Sequence, residues 1–135
     1  MKKVSGLTGA ELDYWVAKAE GMDRENGFGL AWVGVGNPDK PGKPRCYVTH
    51  RVWSGAKVWA PSRNWSKGGP IIERQAIELR KHWQRQSWSA RIDSDRHGLA
   101  PRYGYGETPL IAAMRAYVSS KYGDSVPADS READQ

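Results

Sequence analysis

A chain of 135 residues, 39% of them hydrophobic, is long enough to form one domain with a buried core, and this composition excludes wholesale disorder. No apolar run approaches the length of a membrane span, and the first residues lack the apolar stretch of a signal peptide. The single cysteine, Cys46, cannot form an internal disulfide. These features predict a protein of a reducing cytoplasm, without a membrane partner.

Charge and aromatic content point to the kind of partner. The net charge is +6, but residues 124–135 hold four acids and one base, so the residues before them carry +9. Seven tryptophans accompany this basic body. A basic, aromatic-rich domain suits an anionic and flat ligand such as a nucleotide or a nucleic acid. A solvated basic surface over a tryptophan-rich core explains the composition equally well.

The N-terminal part predicts a short strand followed by a helix. Residues 2–4 favour the strand, and Thr8 and Glu11 match a capping box, in which each side chain satisfies a backbone N–H at a helix start. Gly21 predicts the helix end. The helical spacing of the apolar residues predicts a buried stripe, formed by Leu12, Trp15, Val16 and Ala19.

The next segments predict strands and turns. Residues 28–35 and 45–52 favour strands around a loop at 37–44, and 58–59 is expected to pair back as a hairpin. Cys46 is expected to be a small apolar residue of the second strand.

Residues 59–74 predict a shaped surface loop, which we expect to be the working part of the protein. Two prolines, two adjacent glycines, three cations and two tryptophans are too polar for a core and too aromatic for a spacer. Arginine and lysine can hold phosphate, a glycine pair can bring backbone N–H groups to an anion, and an indole can stack on a base. The candidate ligand-binding residues are Trp59, Ser62, Arg63, Asn64, Trp65, Lys67, Gly68, Gly69 and Arg74. The alternative is that Trp65 belongs to the core and the glycines form a hairpin turn.

The remaining chain predicts a strand, a second loop and a second helix. Residues 76–86 fit helix and strand templates equally, 88–92 favours a strand, and 93–106 is expected to be irregular. Thr108 is the predicted N-cap of the helix, with Pro109 at its first position and Gly123 at its end. Its expected buried stripe is Leu110, Ile111, Met114, Tyr117 and Val118. Residues 124–135 predict a flexible acidic tail, so that 1–123 would form a single α+β domain with two packed helices on a small antiparallel sheet.

Two other segments, at 103–109 and at 93–97, are also candidate sites. The glycine-rich segment at Tyr105 enters the helix start at Thr108, where free N–H groups and the helix dipole favour an anion, although capping alone also explains Thr108. Asp93, Asp95 and His97 match no common metal spacing, and Arg96 between them opposes cation binding, so a polar turn is expected. The sequence predicts no catalytic residues, no metal and no cofactor.

Three stretches of the sequence have a distinctive pattern. They are Leu7-Thr8-Gly9-Ala10-Glu11-Leu12-Asp13 with 16–21, Pro61-Ser62 with Trp65 and Gly68-Gly69-Pro70-Ile71-Ile72-Glu73, and Thr108-Pro109-Leu110-Ile111-Ala112-Ala113-Met114-Arg115-Ala116-Tyr117-Val118 with Lys121 and Gly123. Together they resemble the NinX family, small accessory proteins of lambdoid and related phages. They occur in the family's order and span most of the chain, whereas 22–57 and 81–106 match loosely. The resemblance implies a phage product made in the bacterial host cytoplasm during infection, and it implies no catalytic residues.

The expected function rests on the residue types of the loop at 59–74 and on this resemblance. We expect a non-enzymatic protein that sequesters an anionic nucleotide-like signalling molecule and so counters host anti-phage defence. One alternative is a nucleic-acid-binding accessory factor with single-stranded nucleic acid as its partner. Another is a protein-interaction inhibitor of a host enzyme, with exposed tryptophans as anchors. A homo-oligomer is expected in each case.

Overall fold

A computed structural model describes residues 2–33, 45–93 and 100–127, with only the backbone for 31–33. These ranges contain three α-helices and eight β-strands. The helices are α1 (Gly9–Ala19), α2 (Trp65–Arg74) and α3 (Pro109–Tyr122). The strands are β1 (Lys2–Lys3), β2 (Phe28–Val33), β3 (Arg45–His50), β4 (Lys57–Val58), β5 (Glu78–His82), β6 (Ser87–Ile92), β7 (Arg102–Gly106) and β8 (Ser125–Val126).

The predicted α+β class is confirmed, but the strands form three small antiparallel sheets rather than one. The first sheet has the order β2-β3-β4, the second has the order β5-β6-β7, and β1 pairs with β8. The predicted hairpin is confirmed, since Val58 pairs with Tyr47. None of the helices in the described ranges is long and apolar enough to cross a membrane.

Helix α1 confirms its predicted stripe. Leu12 and Val16 are fully buried, Trp15 nearly so, and Ala19 packs against the same core. Thr8 is the N-cap residue, but its side chain makes no capping hydrogen bond, and the Glu11 carboxylate accepts from Lys2 Nζ at 2.5 Å. The predicted capping box is therefore correct in position and wrong in the bond expected from the Thr8 side chain.

Helix α3 is the centre of the core. It packs on the second sheet on one side and on α1 and α2 on the others. Eight of its residues are buried: Leu110, Ala112, Ala113, Met114, Ala116, Tyr117, Val118 and Ser119. Gly104 of β7 allows this packing, because a Cβ there would collide with the backbone of Ala112 and Ala116. Residues 102–106, predicted to be irregular, are therefore a strand pressed against a helix.

Helix α2 occupies most of the segment 59–74, predicted to be a surface loop. Residues 65–74 of the expected surface loop form a helix, although Pro70 lies inside it and cannot donate a backbone hydrogen bond. Tertiary packing holds this helix, because Ile71 is 1% exposed and Gly68 sits directly against the Pro61 carbonyl. A favourable buried face outweighs poor helix propensity.

The C-terminal boundary also differs from the prediction. Lys2 and Lys3 pair with Val126 and Ser125, and Val126 is fully buried. Residues 124–127 therefore belong to the domain and are not tail. The rest of the predicted tail, 128–135, lies outside the described residues, as do the loop predicted at 37–44 and the end of the strand predicted at 28–35.

Candidate ligand-binding site

Helices α2 and α3 run side by side in the same direction. In the first turn of α2, Gly68 leaves no room beside Leu110 of the first turn of α3, since a Cβ would lie 2.6 Å from Leu110 Cδ2. At the far end of α2, Arg74 Nη2 and the Tyr117 hydroxyl both donate to Glu20 Oε2, at 2.5 and 2.6 Å. The two helix N-termini consequently lie together at one end of the molecule, where their dipoles favour an anion.

Both helix starts are capped by side chains that the sequence marked as ligand candidates. Asn64 Oδ1 accepts from the Ser66 backbone N–H at 2.9 Å and from the Ser66 hydroxyl at 2.7 Å. Thr108 Oγ1 accepts from the Ile111 N–H at 3.1 Å. These oxygens are engaged in capping, so Asn64 and Thr108 fix the starts of the two helices.

Three exposed side chains surround the start of α2. Arg63 and Lys67 are exposed, and no ion pair occupies either of them within the described part of the chain. The Trp65 side chain is 52% exposed, and Gly69 lies beneath its ring, 3.9 Å from Trp65 Cε3 to where a Cβ would be. The alternative, in which Trp65 belongs to the core, is therefore wrong. Two cations and an exposed indole therefore lie within five consecutive residues, 63–67, at the start of α2.

Several predicted residues lie elsewhere or are buried. Ser62 and Gly68 are buried, and Gly68 and Gly69 are helical, so they form neither an anion-binding nest nor a hairpin turn. Trp59 is half-buried against the core, with its Nε1 buried and without a partner among the described residues. Ser62 and Gly68 thus lie below the surface near the start of α2, and Trp59 lies partly below it.

Arg74 and Tyr105 are also separated from the start of α2. Arg74 stands at the opposite end of α2, where the hydrogen bond to Glu20 raises its pKa. Tyr105 projects from the face of β7 opposite to α3, and its carbonyl accepts from Arg115 Nη1 at 2.6 Å. Arg115 also donates from Nε to the Leu7 carbonyl, so it ties three segments together. Of the predicted set, Arg63, Trp65 and Lys67 thus remain as exposed candidate residues grouped at the start of α2.

Asp13 is the residue that sequence reasoning missed. This carboxyl is fully buried, and Oδ1 accepts from the Ser62 backbone N–H at 2.9 Å, directly before the candidate site. Oδ2 has no hydrogen-bond partner in the described ranges. Burial raises the pKa of Asp13 to about 6, while the Ser62 hydrogen bond and the Arg63 charge oppose that shift. Asp13 fixes the chain that carries Arg63.

A signal for Asp13 was present in the sequence. Ala10, Val16 and Ala17 lie three residues before, three after and four after it, so an acid sits within an apolar helix face. Cys46 confirms its expected apolar role, since it is fully buried, and burial together with the neighbouring Asp13 charge raises the pKa of its thiol far above the ordinary value. A thiol in that state is a poor nucleophile.

A family model described as Bacteriophage P22, NinX matches residues 3–121. The chain belongs to the NinX family. The resemblance seen in the three sequence stretches is confirmed, and the match covers the starts of α2 and α3 as well as Asp13. The protein is therefore a phage accessory protein. No curated protein matches the chain.

Metal chemistry has no candidate in the described residues, where no three of His, Cys, Asp and Glu come together. The cluster around Asp95 and His97, expected to be a polar turn, lies outside them.

Proposed function

We propose that this NinX-family protein binds an anionic, nucleotide-like signalling molecule at the start of α2 and sequesters it in the host cytoplasm, without catalysis. One observation carries the proposal. The N-termini of α2 and α3 lie side by side, and Arg63, Trp65 and Lys67 are exposed at the start of α2. Sequestration of such a messenger would counter the host defence that depends on it.

Each group at this end of the molecule supplies a distinct part of nucleotide recognition. The Trp65 indole, 52% exposed, offers a flat apolar face for a base, and such stacking contributes about 1–3 kcal/mol. Arg63 can hold phosphate oxygens bidentately, and Lys67 supplies a second, flexible cation. The two helix dipoles add to the same positive potential. Glu107 is exposed just before Thr108 and opposes an anion there, which favours a ligand seated nearer to α2 than to α3.

The first experiment is a thermal-shift and calorimetric titration of the purified protein against linear and cyclic nucleotides. A ligand at one hundred times its Kd stabilises the native state by about 2.7 kcal/mol, which for a domain of this size raises Tm by roughly 10 °C. Non-enzymatic sequestration further predicts that the bound nucleotide is recovered intact after heat denaturation. Absence of a shift with every nucleotide, or recovery of a cleaved product, would refute the respective part of the proposal.

Alanine substitutions at the start of α2 test whether the nucleotide binds there. Trp65→Ala should weaken binding about 10- to 100-fold while leaving Tm of the free protein close to wild type, because the ring is exposed. Trp83→Ala is the matched control, since Trp83 is 76% exposed on a different element. Arg63→Ala and Lys67→Ala should each weaken binding, more so at low salt. An equal loss from Trp65→Ala and Trp83→Ala would contradict a site at α2.

The predicted homo-oligomer stays a prediction. Light scattering of the purified protein tests it.

A further inference from the structure

The second sheet has one covered face and one open face. Gly104 and Gly106 lie against α3, where a Cβ on Gly106 would come within 3.0 Å of the Ala112 backbone nitrogen. Because side chains alternate along a strand, Tyr103 and Tyr105 project from the opposite face. Their side chains are 50% and 59% exposed. Among the described residues no helix covers this face of the sheet.

The strand register places polar and cationic side chains beside the two tyrosines. Tyr105 is opposite Ser89, which is opposite Arg80, and Tyr103 is opposite Arg91. His82 confirms that these residues share a face, because its Nε2 lies 2.8 Å from Ser89 Oγ. The open face therefore carries a row from Arg80 across Ser89 to Tyr105.

The β5–β6 hairpin that forms most of this face is strongly basic. Residues 78–92 contain four bases, namely Arg80, Lys81, Arg85 and Arg91, and one acid, Glu78, which is opposite Arg91. Arg91 Nη2 is 3.0 Å from Asp93 Oδ1, whereas Arg80 and Arg85 are exposed and in no ion pair within residues 45–93 or 100–127. At the hairpin turn Trp83 is 76% exposed. Arg80 and Arg85 thus supply unpaired positive charge on the described hairpin, whereas Arg91 lies between Asp93 and Glu78.

We propose that this open sheet face is a binding surface for single-stranded nucleic acid, distinct from the nucleotide site at α2. Tyr103 and Tyr105 are two residues apart on one strand, which separates their Cα atoms by roughly 6.8 Å and lets each take one of two successive bases. Exposed aromatic residues on an open antiparallel sheet are a general way of stacking unpaired bases. Arg80 and Arg85 lie where the phosphates would pass, and the +9 body supplies long-range attraction.

Single strands are preferred to duplex for a physical reason. The faces of paired bases are already stacked on one another, so tyrosine rings cannot reach them, whereas phosphates are present in both forms. A surface that acted only through its charge would bind duplex at least as well. Preference for the single strand therefore reports on the aromatic contacts.

The test is fluorescence anisotropy with a labelled single-stranded DNA of roughly 16 nucleotides, long enough for one site, and with the duplex of the same sequence. Wild type should bind the single strand more tightly. Tyr105→Ala should weaken that binding about 10-fold, while Tyr105→Phe, which keeps the ring, should retain it. Arg80→Ala should reduce the slope of log affinity against log salt by about 0.7, the value for one phosphate contact on a single strand.

Val52→Ala, which shortens a side chain that is 76% exposed outside both proposed sites, is the control and should leave oligonucleotide affinity unchanged. Equal affinity for single strand and duplex, or equal affinity in wild type, Tyr105→Ala and Arg80→Ala, would overturn the proposal. Loss of oligonucleotide binding in Trp65→Ala alone would move the site to α2 and overturn it as well. Tyr105→Phe and Arg80→Ala alter exposed side chains, so they keep the test valid if Tyr105→Ala proves unstable.

Discussion

Asp13→Asn tests whether a buried carboxyl beneath the candidate site makes stability depend on pH. Burial raises the pKa of Asp13 from 3.8 to about 6. The native state therefore holds a proton that the unfolded chain releases between about pH 4 and pH 6, and the free energy of unfolding should fall across that window as pH rises. Each pKa unit corresponds to 1.36 kcal/mol, so the full loss is about 3 kcal/mol. Above pH 6 the carboxyl is ionised in both states and the loss is constant.

Asparagine removes the ionisation while keeping the observed hydrogen bond. Its Oδ1 can still accept from the Ser62 N–H, and its amide nitrogen replaces Oδ2, which has no partner in the described part of the chain. The variant should match wild type near pH 4 and be more stable by up to about 3 kcal/mol at pH 7. Two groups lie near the Asp13 carboxyl. The Arg63 charge favours its ionised form and so opposes the rise in its pKa. The buried Cys46 thiol is neutral throughout this pH range.

The assay is urea unfolding followed by tryptophan fluorescence, repeated from pH 4 to pH 8 on both proteins. Asp124→Asn is the control, since that carboxylate is 91% exposed and its pair with Arg102 is a surface contact of less than about 1 kcal/mol. The difference between Asp13→Asn and wild type should grow from pH 4 to pH 6 and then stay level. A difference that does not change with pH, or one that shrinks as pH rises, would refute the assignment of a raised pKa to Asp13.

Two further substitutions test the packing that positions the sites. Gly104→Ala should destabilise the protein by about 3 kcal/mol in urea unfolding, because its Cβ meets the α3 backbone at Ala112 and Ala116 and the helix must move from the sheet. Gly6→Ala, with nothing within 4 Å of its Cβ, should change stability by less than about 0.5 kcal/mol, and equal effects would contradict this packing. Thr108→Ala should lower stability by about 1 kcal/mol through loss of the cap, and an unchanged Tm would show that the cap contributes nothing.

Residue type alone predicts part of the candidate site at the start of α2. The exposed Arg63, Trp65 and Lys67 were marked by residue type alone, since cations and an indole between prolines and glycines do not suit a core. The same reasoning included Arg74, which pairs with Glu20 just after α1, and Gly68, which packs against Pro61 and Leu110. Both errors arise from contacts with residues distant in the sequence, which no local pattern contains.

Helices α1 and α3 were determined by the sequence itself, because Gly21, Thr108 and Pro109 mark their ends and apolar residues recur at helical spacing between those ends. Their signals are local, and each is expressed within a few residues. Tertiary structure alone decided the helix at Pro70, the strand at Gly104 and the burial of Asp13. At each of these positions the intrinsic preference of the residue is opposed by close packing against α3 or by a hydrogen bond across the core. At Pro70 the gain from packing exceeds the roughly 3 kcal/mol by which proline disfavours a helix interior, and such a gain exists only once the distant segments have met.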